Sequence, residues 1–357
     1  MKSRKAGTPW PKKPHKFTQY GLEGFPLVES VADEEVPTAA DQATPAQTSV
    51  HEEGELDQLD RFLGCLLGLA VGDAVGTTVE FKTRGSFPEV TDMVGGGEFC
   101  LQPGQWTDDT SMALCLATSL LTRQGFDARD QMGQYCRWKN DGYLSSNGRC
   151  FDIGITTSTA LENYERTGEP LAGSTDAHAA GNGSIMRLAP IALFFFPDHA
   201  EVEHYAAESS KTTHGAAECV DACRLLGVMI ATALSATTKE AVLAAGTALQ
   251  LVPSIAAIAA GTYRTKVEHD IRSTGYVVDS LEAALWCFAT TESFEDAILK
   301  AANLGDDADT TAAVCGQVAG AYYGHARIPQ GWRERLVMGS EISRLAGRLY
   351  VSGASAT

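Results

Sequence analysis

The sequence predicts a mostly α-helical chain, with one compact domain over residues 56–350 behind an N-terminal extension. Three observations carry that prediction. Apolar residues recur at helical spacing, as in Leu59, Phe62, Leu63, Leu66, Leu69 and Ala70. Small residues recur every fourth position twice, at Gly64, Gly68, Gly72 and Gly76 and at Ala312, Gly316, Gly320 and Gly324, which places a narrow stripe along one helix face. No stretch shows the strict polar–apolar alternation of a half-buried strand.

Residues 1–55 stand apart from the rest of the chain. The first sixteen carry Lys2, Arg4, Lys5, Lys12, Lys13 and Lys16, no acid, and the breakers Pro9, Pro11 and Pro14. An acidic Ala/Thr/Pro/Gln stretch, Glu23 to Glu55, comes next, and neither part has helical or strand periodicity. Such a segment either stays unstructured or folds onto a partner. Trp10, Phe17, Tyr20, Leu22 and Phe25, interleaved with the charges, would be its anchors on an acidic partner or in a concave anionic pocket.

The core begins near Leu56. Each glycine of the first stripe costs about 1 kcal/mol against alanine in a helix interior, so packing must offset about 4 kcal/mol. The two striped helices are therefore expected deep in the core, where their stripes would let them pack against each other and bring Asp73 and Glu80 towards the acid-rich segments near Asp108 and Asp307. Gly95-Gly96-Gly97 and Pro103-Gly104 form a loop before Trp106, and a helix is predicted from Ser111 to Leu121, with helical patterns through Trp138. A polar loop from Asn147 to Gly154 precedes a Thr/Ser-rich helix start, and Gly181-Asn182-Gly183-Ser184 is expected to open a helix. Glu201 to Ala260 is alanine-rich and helical; Ser280–Leu285, Phe294–Leu299 and Ile342–Tyr350 are further helices, and residues 351–357 a frayed tail.

The 357 residues carry a net charge of -17, which argues against nonspecific nucleic-acid or anionic-membrane partners. No apolar run approaches the ~20 residues of a membrane span. The basic N-terminus lacks the apolar region of a secretory signal. Nine cysteines show no framework spacing; Cys65, Cys115, Cys287 and Cys315 sit in apolar helical context, so a reducing cytoplasm is expected.

The chemistry concentrates in Trp106-Thr107-Asp108-Asp109-Thr110 and Gly305-Asp306-Asp307-Ala308-Asp309-Thr310, each running into a helix. One aspartate there needs no more explanation than a helix cap. Each cluster holds more acids than a cap uses, and packed carboxylates leave water at high cost unless a cation joins them. Aspartate and threonine oxygens are hard ligands suited to Mg²⁺ or Mn²⁺, so the two stretches read as halves of one metal site. An EF-hand is excluded because the twelfth position from Asp307 is Val318. Zinc is disfavoured: there is no C-x-x-C or H-E-x-x-H, and Cys219 and Cys223 lack further ligands. The Gly181–Ser184 loop could offer backbone N–H groups to phosphate, although it is neither a P-loop nor a dinucleotide fingerprint. His214 is either a core histidine or a pocket wall.

Taken in order, G-D-A-x-G-x-x-x-E, W-T-D-D-T, D-I-G, G-N-G-S-I-M-R, T-H and G-x-D-A-D-T resemble the ADP-ribosylglycohydrolase family of the dinitrogenase-reductase-activating type, over about Leu59 to Tyr323. The resemblance implies an all-α fold, a binuclear Mg²⁺ or Mn²⁺ centre, and release of ADP-ribose from protein side chains. It implies metal ligands Thr107, Asp108, Asp109, Asp307, Asp309 and Thr310, with Asp306 on a variable position. Glu80 matches the acid beside the scissile ribose, with Asp307 or Asp309 as proton acceptor. Asp152, Ile153 and Gly154 match a ribose-facing loop; Gly181, Asn182, Gly183, Ser184 and Met186 a diphosphate and ribose loop; His214 a pocket residue. The preferred substrate is ADP-ribosyl-arginine on a protein; serine-linked ADP-ribose, O-acetyl-ADP-ribose and a non-catalytic ADP-ribose binder are the alternatives. The extension departs from the family's usual start. It resembles immunity proteins whose N-terminal arm plugs an ADP-ribosyltransferase toxin, which would make residues 1–50 a toxin-binding arm.

Overall fold

The computed structural model describes the backbone of residues 49–354 and the side chains of 58–353. The arm expected at Lys2–Phe25 lies outside the described residues. Fourteen α-helices occur in order among them: α1 (Ser49–Gly76), α2 (Asp108–Arg123), α3 (Ala128–Asp141), α4 (Ile155–Thr167), α5 (Ala189–Phe195), α6 (His199–Lys211), α7 (Ala217–Ala233), α8 (Lys239–Ala244), α9 (Pro253–Ala259), α10 (Val277–Ala289), α11 (Phe294–Ala302), α12 (Ala308–Tyr323), α13 (Gln330–Arg335) and α14 (Gly339–Ala354). Isolated bridges such as Gly181–Tyr276 replace sheets there, and the all-α expectation holds. No described helix is long and apolar enough to cross a membrane.

The organising contact is α1 against α12, antiparallel and buried. A Cβ at Gly64, Gly68, Gly72 or Gly76 would overlap the carbonyl oxygen of Gly320, Gly316, Ala312 or Ala308 respectively. The two stripes thus meet as expected, one residue pair per turn. Gly324 differs from the reading: it ends α12 with φ 84, and Ala308 takes the place opposite Gly76. Val71, Val75, Val314 and Val318 fill the flanks, and α5, α7, α10 and α11 enclose the pair with fully buried Leu226, Leu281, Phe288 and Phe294. A satellite core of Met112, Cys115, Met132, Tyr135, Trp138, Leu161 and Met186 joins α2, α3 and α4.

Two further differences are local. Gly181–Ser184 opens a run of turns rather than a helix, and α5 starts only at Ala189. The terminal helix continues to Ala354, past the expected end at Tyr350, and Gly353 in its last turn packs on the Phe196 carbonyl, where a Cβ would sit at 2.9 Å. All nine cysteines are free thiols.

Candidate metal centre and cavity

The C-terminus of α1 and the N-termini of α2 and α12 converge, so two positive helix ends point into one region and favour carboxylates there. Asp73, in the last turn of α1, fixes the first acidic segment. Its Oδ1 accepts from Thr107 N (2.9 Å) and Thr107 Oγ1 (3.0 Å), and its Oδ2 from Thr110 N (3.0 Å) and Thr110 Oγ1 (2.6 Å). Thr107, the cap position of α2, makes no side-chain cap bond to its own helix; Asp73 performs that task from another helix. All four acceptor directions are used, so Asp73 anchors the site and offers nothing to a metal.

The second segment is held from the other side. Asp307 N donates to Ser273 O (2.8 Å), and Asn182 Nδ2 donates to Asp307 Oδ2 (2.6 Å) and Ser280 Oγ (3.2 Å). Asp306 and the Glu80 loop pair through Phe81 N to Asp306 O (2.7 Å) and Asp306 N to Lys82 O (2.8 Å), with Phe81 and Asp306 both left-handed at φ 60 and 51. Arg84 ties that loop to the carbonyls of Leu304, Glu268 and Ile271. The halves touch where Thr310 Oγ1 donates to Asp109 Oδ1 (3.3 Å) and where Thr107 Oγ1 lies 3.3 Å from Asp309 Oδ2.

Glu80, Asp152 and Asp309 each bring an oxygen within 4.8 Å of the others. Three buried oxygens of the centre, Glu80 Oε2, Asp109 Oδ2 and Asp309 Oδ1, accept no hydrogen bond from any described residue. Burial, reinforced by neighbouring carboxylates, pushes Glu80 up to about 10 and Asp152 to about 8, and raises Asp108, Asp109 and Asp309 well above the usual range. Burial also raises Asp307, against the opposing bond from Asn182, and Asp73 to about 6. Among the described residues no lysine or arginine lines the cavity to neutralise them. A group this acidic and this dry must bind protons or a cation. Its all-oxygen donors and orphaned lone pairs fit a hard divalent ion.

Above the acids opens a cavity of about 810 Å³, within the size range of small-molecule sites. Of the residues proposed from sequence, Glu80, Asp108, Asp152, Ile153, Gly154, Gly181, Asn182, Gly183, Met186, His214, Asp307, Asp309 and Thr310 line it. Thr107 and Asp109 lie behind that wall, against Asp309 and Thr310. Ser184 is turned into the core instead, accepting from Ser210 Oγ (3.0 Å) and Cys223 Sγ (3.3 Å). Asp152, read as ribose-facing, stands within ligand reach of Glu80 and Asp309.

Sequence reasoning missed Phe81, Ile155, Thr156, Thr157 and Thr274-Gly275 on the wall, and Asp306, which it set aside. Phe81 and Ile155 are 63% and 87% exposed, and an apolar residue next to polar ones, Phe81 between Glu80 and Lys82 and Ile155 opening the Thr/Ser-rich start of α4, was the available signal. A neighbouring hollow of about 670 Å³ shares Thr156, Gly181 and Gly275 with the cavity; there Tyr276 OH donates to Glu218 Oε2 (2.7 Å).

The chain is 45% identical over 296 residues, 83% of its length and 80% of the relative's, to the ADP-ribosylarginine hydrolase Tri1 of Serratia proteamaculans. It is 48% identical over 292 residues (82% and 78%) to the Tri1 hydrolase of Pseudomonas putida. It is 35% identical over 283 residues (78% and 91%) to the ADP-ribosyl-[dinitrogen reductase] glycohydrolase of Rhodospirillum rubrum. A solved structure described as an ADP-ribosylglycohydrolase-related protein complex superposes with a TM-score of 0.75 at 44% identity, covering 84% of this chain and 99% of that one. The family model for ADP-ribosylglycohydrolases matches residues 55–356, and the chain belongs to that family.

Proposed function

We propose that this protein hydrolyses the bond between ADP-ribose and a modified arginine side chain of a protein. The observation that carries the reading is a set of buried oxygens without a hydrogen-bond partner among the described residues, on Glu80 and Asp309 in the wall of a ligand-sized cavity and on Asp109 just behind it. The likeness to two ADP-ribosylarginine hydrolases supports the arginine linkage. Thr107, Asp108, Asp109, Asp307, Asp309 and Thr310 would hold a pair of Mg²⁺ or Mn²⁺ ions, with Asp152 close enough to contribute. What those ions supply when bound is Lewis acidity towards a water and the ribose hydroxyls.

The chain's own groups do the rest. Breaking the C1″–N bond passes through an oxocarbenium-like state, and the carboxylates around the cavity stabilise its positive charge. Asn182 holds one oxygen of Asp307, so either Asp307 or Asp309 is positioned to take the proton of the attacking water, while Glu80 orients that water or the ribose. The N–H groups of Gly183 and Ser184 are used by no described acceptor and suit the diphosphate. The guanidine leaves without needing a strong acid, consistent with a lining that holds no cationic donor among the described residues.

The test is turnover of an ADP-ribosylated arginine peptide by wild type and by Asp108→Ala/Asp109→Ala, with Mg²⁺ and with EDTA, beside a serine-linked peptide. Release of ADP-ribose by wild type with Mg²⁺ alone supports the reading; its absence removes it, and turnover of the serine linkage alone reassigns the substrate. The basic, aromatic segment Lys2–Phe25 supports a second, separable role, occlusion of an ADP-ribosyltransferase.

A further inference from the structure

Arg187 comes directly after the cavity residue Met186 and is fully buried, yet it forms no ion pair among the described residues. A buried cation without a counter-ion is costly, so its contacts are informative. Nη2 donates to Thr213 Oγ1 (2.7 Å) and, more weakly, to Thr212 Oγ1 (3.5 Å); Nη1 reaches Met112 Sδ (3.7 Å), and the guanidinium lies 4.6 Å from the Tyr135 ring centre.

Thr213 Oγ1 is also 2.8 Å from His214 Nδ1. We infer that Arg187 and Thr213 form a relay that holds His214 as the neutral imidazole with its proton on Nε2, aimed at the ligand. Arginine has no acceptor, so in its contact with Thr213 the hydroxyl oxygen must accept. That leaves the single hydroxyl proton of a fully buried threonine, and Nδ1 is the one acceptor of the described residues within its reach. Donating there satisfies the proton and keeps Nδ1 bare. The opposite tautomer would direct Nδ1–H towards an oxygen already taking a cationic donor and orphan the hydroxyl proton. Burial and the Arg187 charge also hold the imidazole neutral, down to about 3.

The free edge of the ring faces the cavity. Nε2 lies 3.5 Å from where a Cβ on Gly181 would sit and 3.1 Å from one on Gly183, and a Cβ on Gly183 would collide with Cε1 at 2.8 Å. No described residue accepts from Nε2, and His214 lines the cavity. The ring therefore presents one fixed donor beside the Gly181–Gly183 loop, suited to a phosphate or ribose oxygen. Arg187 and Thr213 are positioning residues; the kinetic part of the inference rests on the hydrolase reading, whereas the tautomer does not.

The test is long-range ¹H–¹⁵N NMR of the histidine side chains, with His214 assigned by its loss in His214→Gln, plus kinetics of Thr213→Val and Thr213→Ser. Wild type is expected to show protonated Nε2 and a bare, hydrogen-bonded Nδ1. Thr213→Val should move the Nδ1 resonance to its non-bonded position and raise KM about tenfold with kcat little changed, and Thr213→Ser should restore both. A proton on Nδ1 in wild type overturns the relay, as does a Thr213→Val protein whose Nδ1 resonance and KM match wild type. Loss of turnover in wild type itself would strike the hydrolase reading, leaving the tautomer measurement to judge the relay.

Discussion

The helix pair α1 and α12 behaves in opposite ways along its length. In its middle, glycines let the backbones touch, the interface is apolar, and the contact is defined by carbonyl oxygens resting where side chains would be. At its end the same helices meet around carboxylates, and buried oxygens on Glu80, Asp109 and Asp309 have no partner among the described residues. The seam is optimised for contact and the acidic end for a ligand. The seam must therefore resist the repulsion of the acids whenever no cation is bound, and stability and function are placed in different turns of the same helices.

The sharpest break in that comparison is Asp309→Asn. Turnover should fall by about 10³-fold, while the melting temperature in EDTA stays level or rises because a neutral amide replaces a buried carboxyl whose charged form burial and its neighbours disfavour. A fall in both would make Asp309 structural. Next comes the seam: Gly72→Ala gains about 1 kcal/mol of helix propensity but drives a methyl into the Ala312 carbonyl, for a net loss of about 3 kcal/mol in urea unfolding. The fraction that stays folded should turn over normally; unaltered stability would mean the seam is loose.

A smaller effect separates the regions by pH. Asp73, Asp152 and Glu80 have folded values near 6, 8 and 10, whereas the unfolded chain releases these protons near pH 4. The folded state thus holds more protons across that interval, and metal-free stability is full below about pH 4 and falls as pH rises towards 8–10. Mg²⁺ takes the place of the protons on Asp152 and Glu80, not of the one on the anchor Asp73, so its stabilising increment should grow between about pH 5 and about pH 8. An increment independent of pH would separate metal binding from these carboxylates. The smallest expected effect is on hydrolysis after removal of residues 1–48, which should leave kcat and KM unchanged while abolishing any tight binding to a cognate transferase.

The seam was legible because glycine every fourth residue has no other use in a helix interior that must overcome its propensity cost. The acids were legible because Thr107–Thr110 and Asp307–Thr310 hold more charge than caps require. What stayed hidden depends on contacts across the chain. Asp73 looked like a further site acid, and only its four bonds from Thr107 and Thr110 show it to be an anchor. Ser184 sits in a polar tetrapeptide, but its rotation into the core is set by Ser210 and Cys223. Gly181–Ser184 reads as a helix start, yet Asn182 N is taken by the Gly275 carbonyl and the chain turns first.

The most direct test of the metal centre is anomalous scattering from crystals of the protein grown with Mn²⁺. Two peaks should stand at about 2.1 Å from carboxylate oxygens of both segments, with Asp109 and Asp309 among the ligands. Density in which those oxygens face only water or each other, without an anomalous peak, would contradict it.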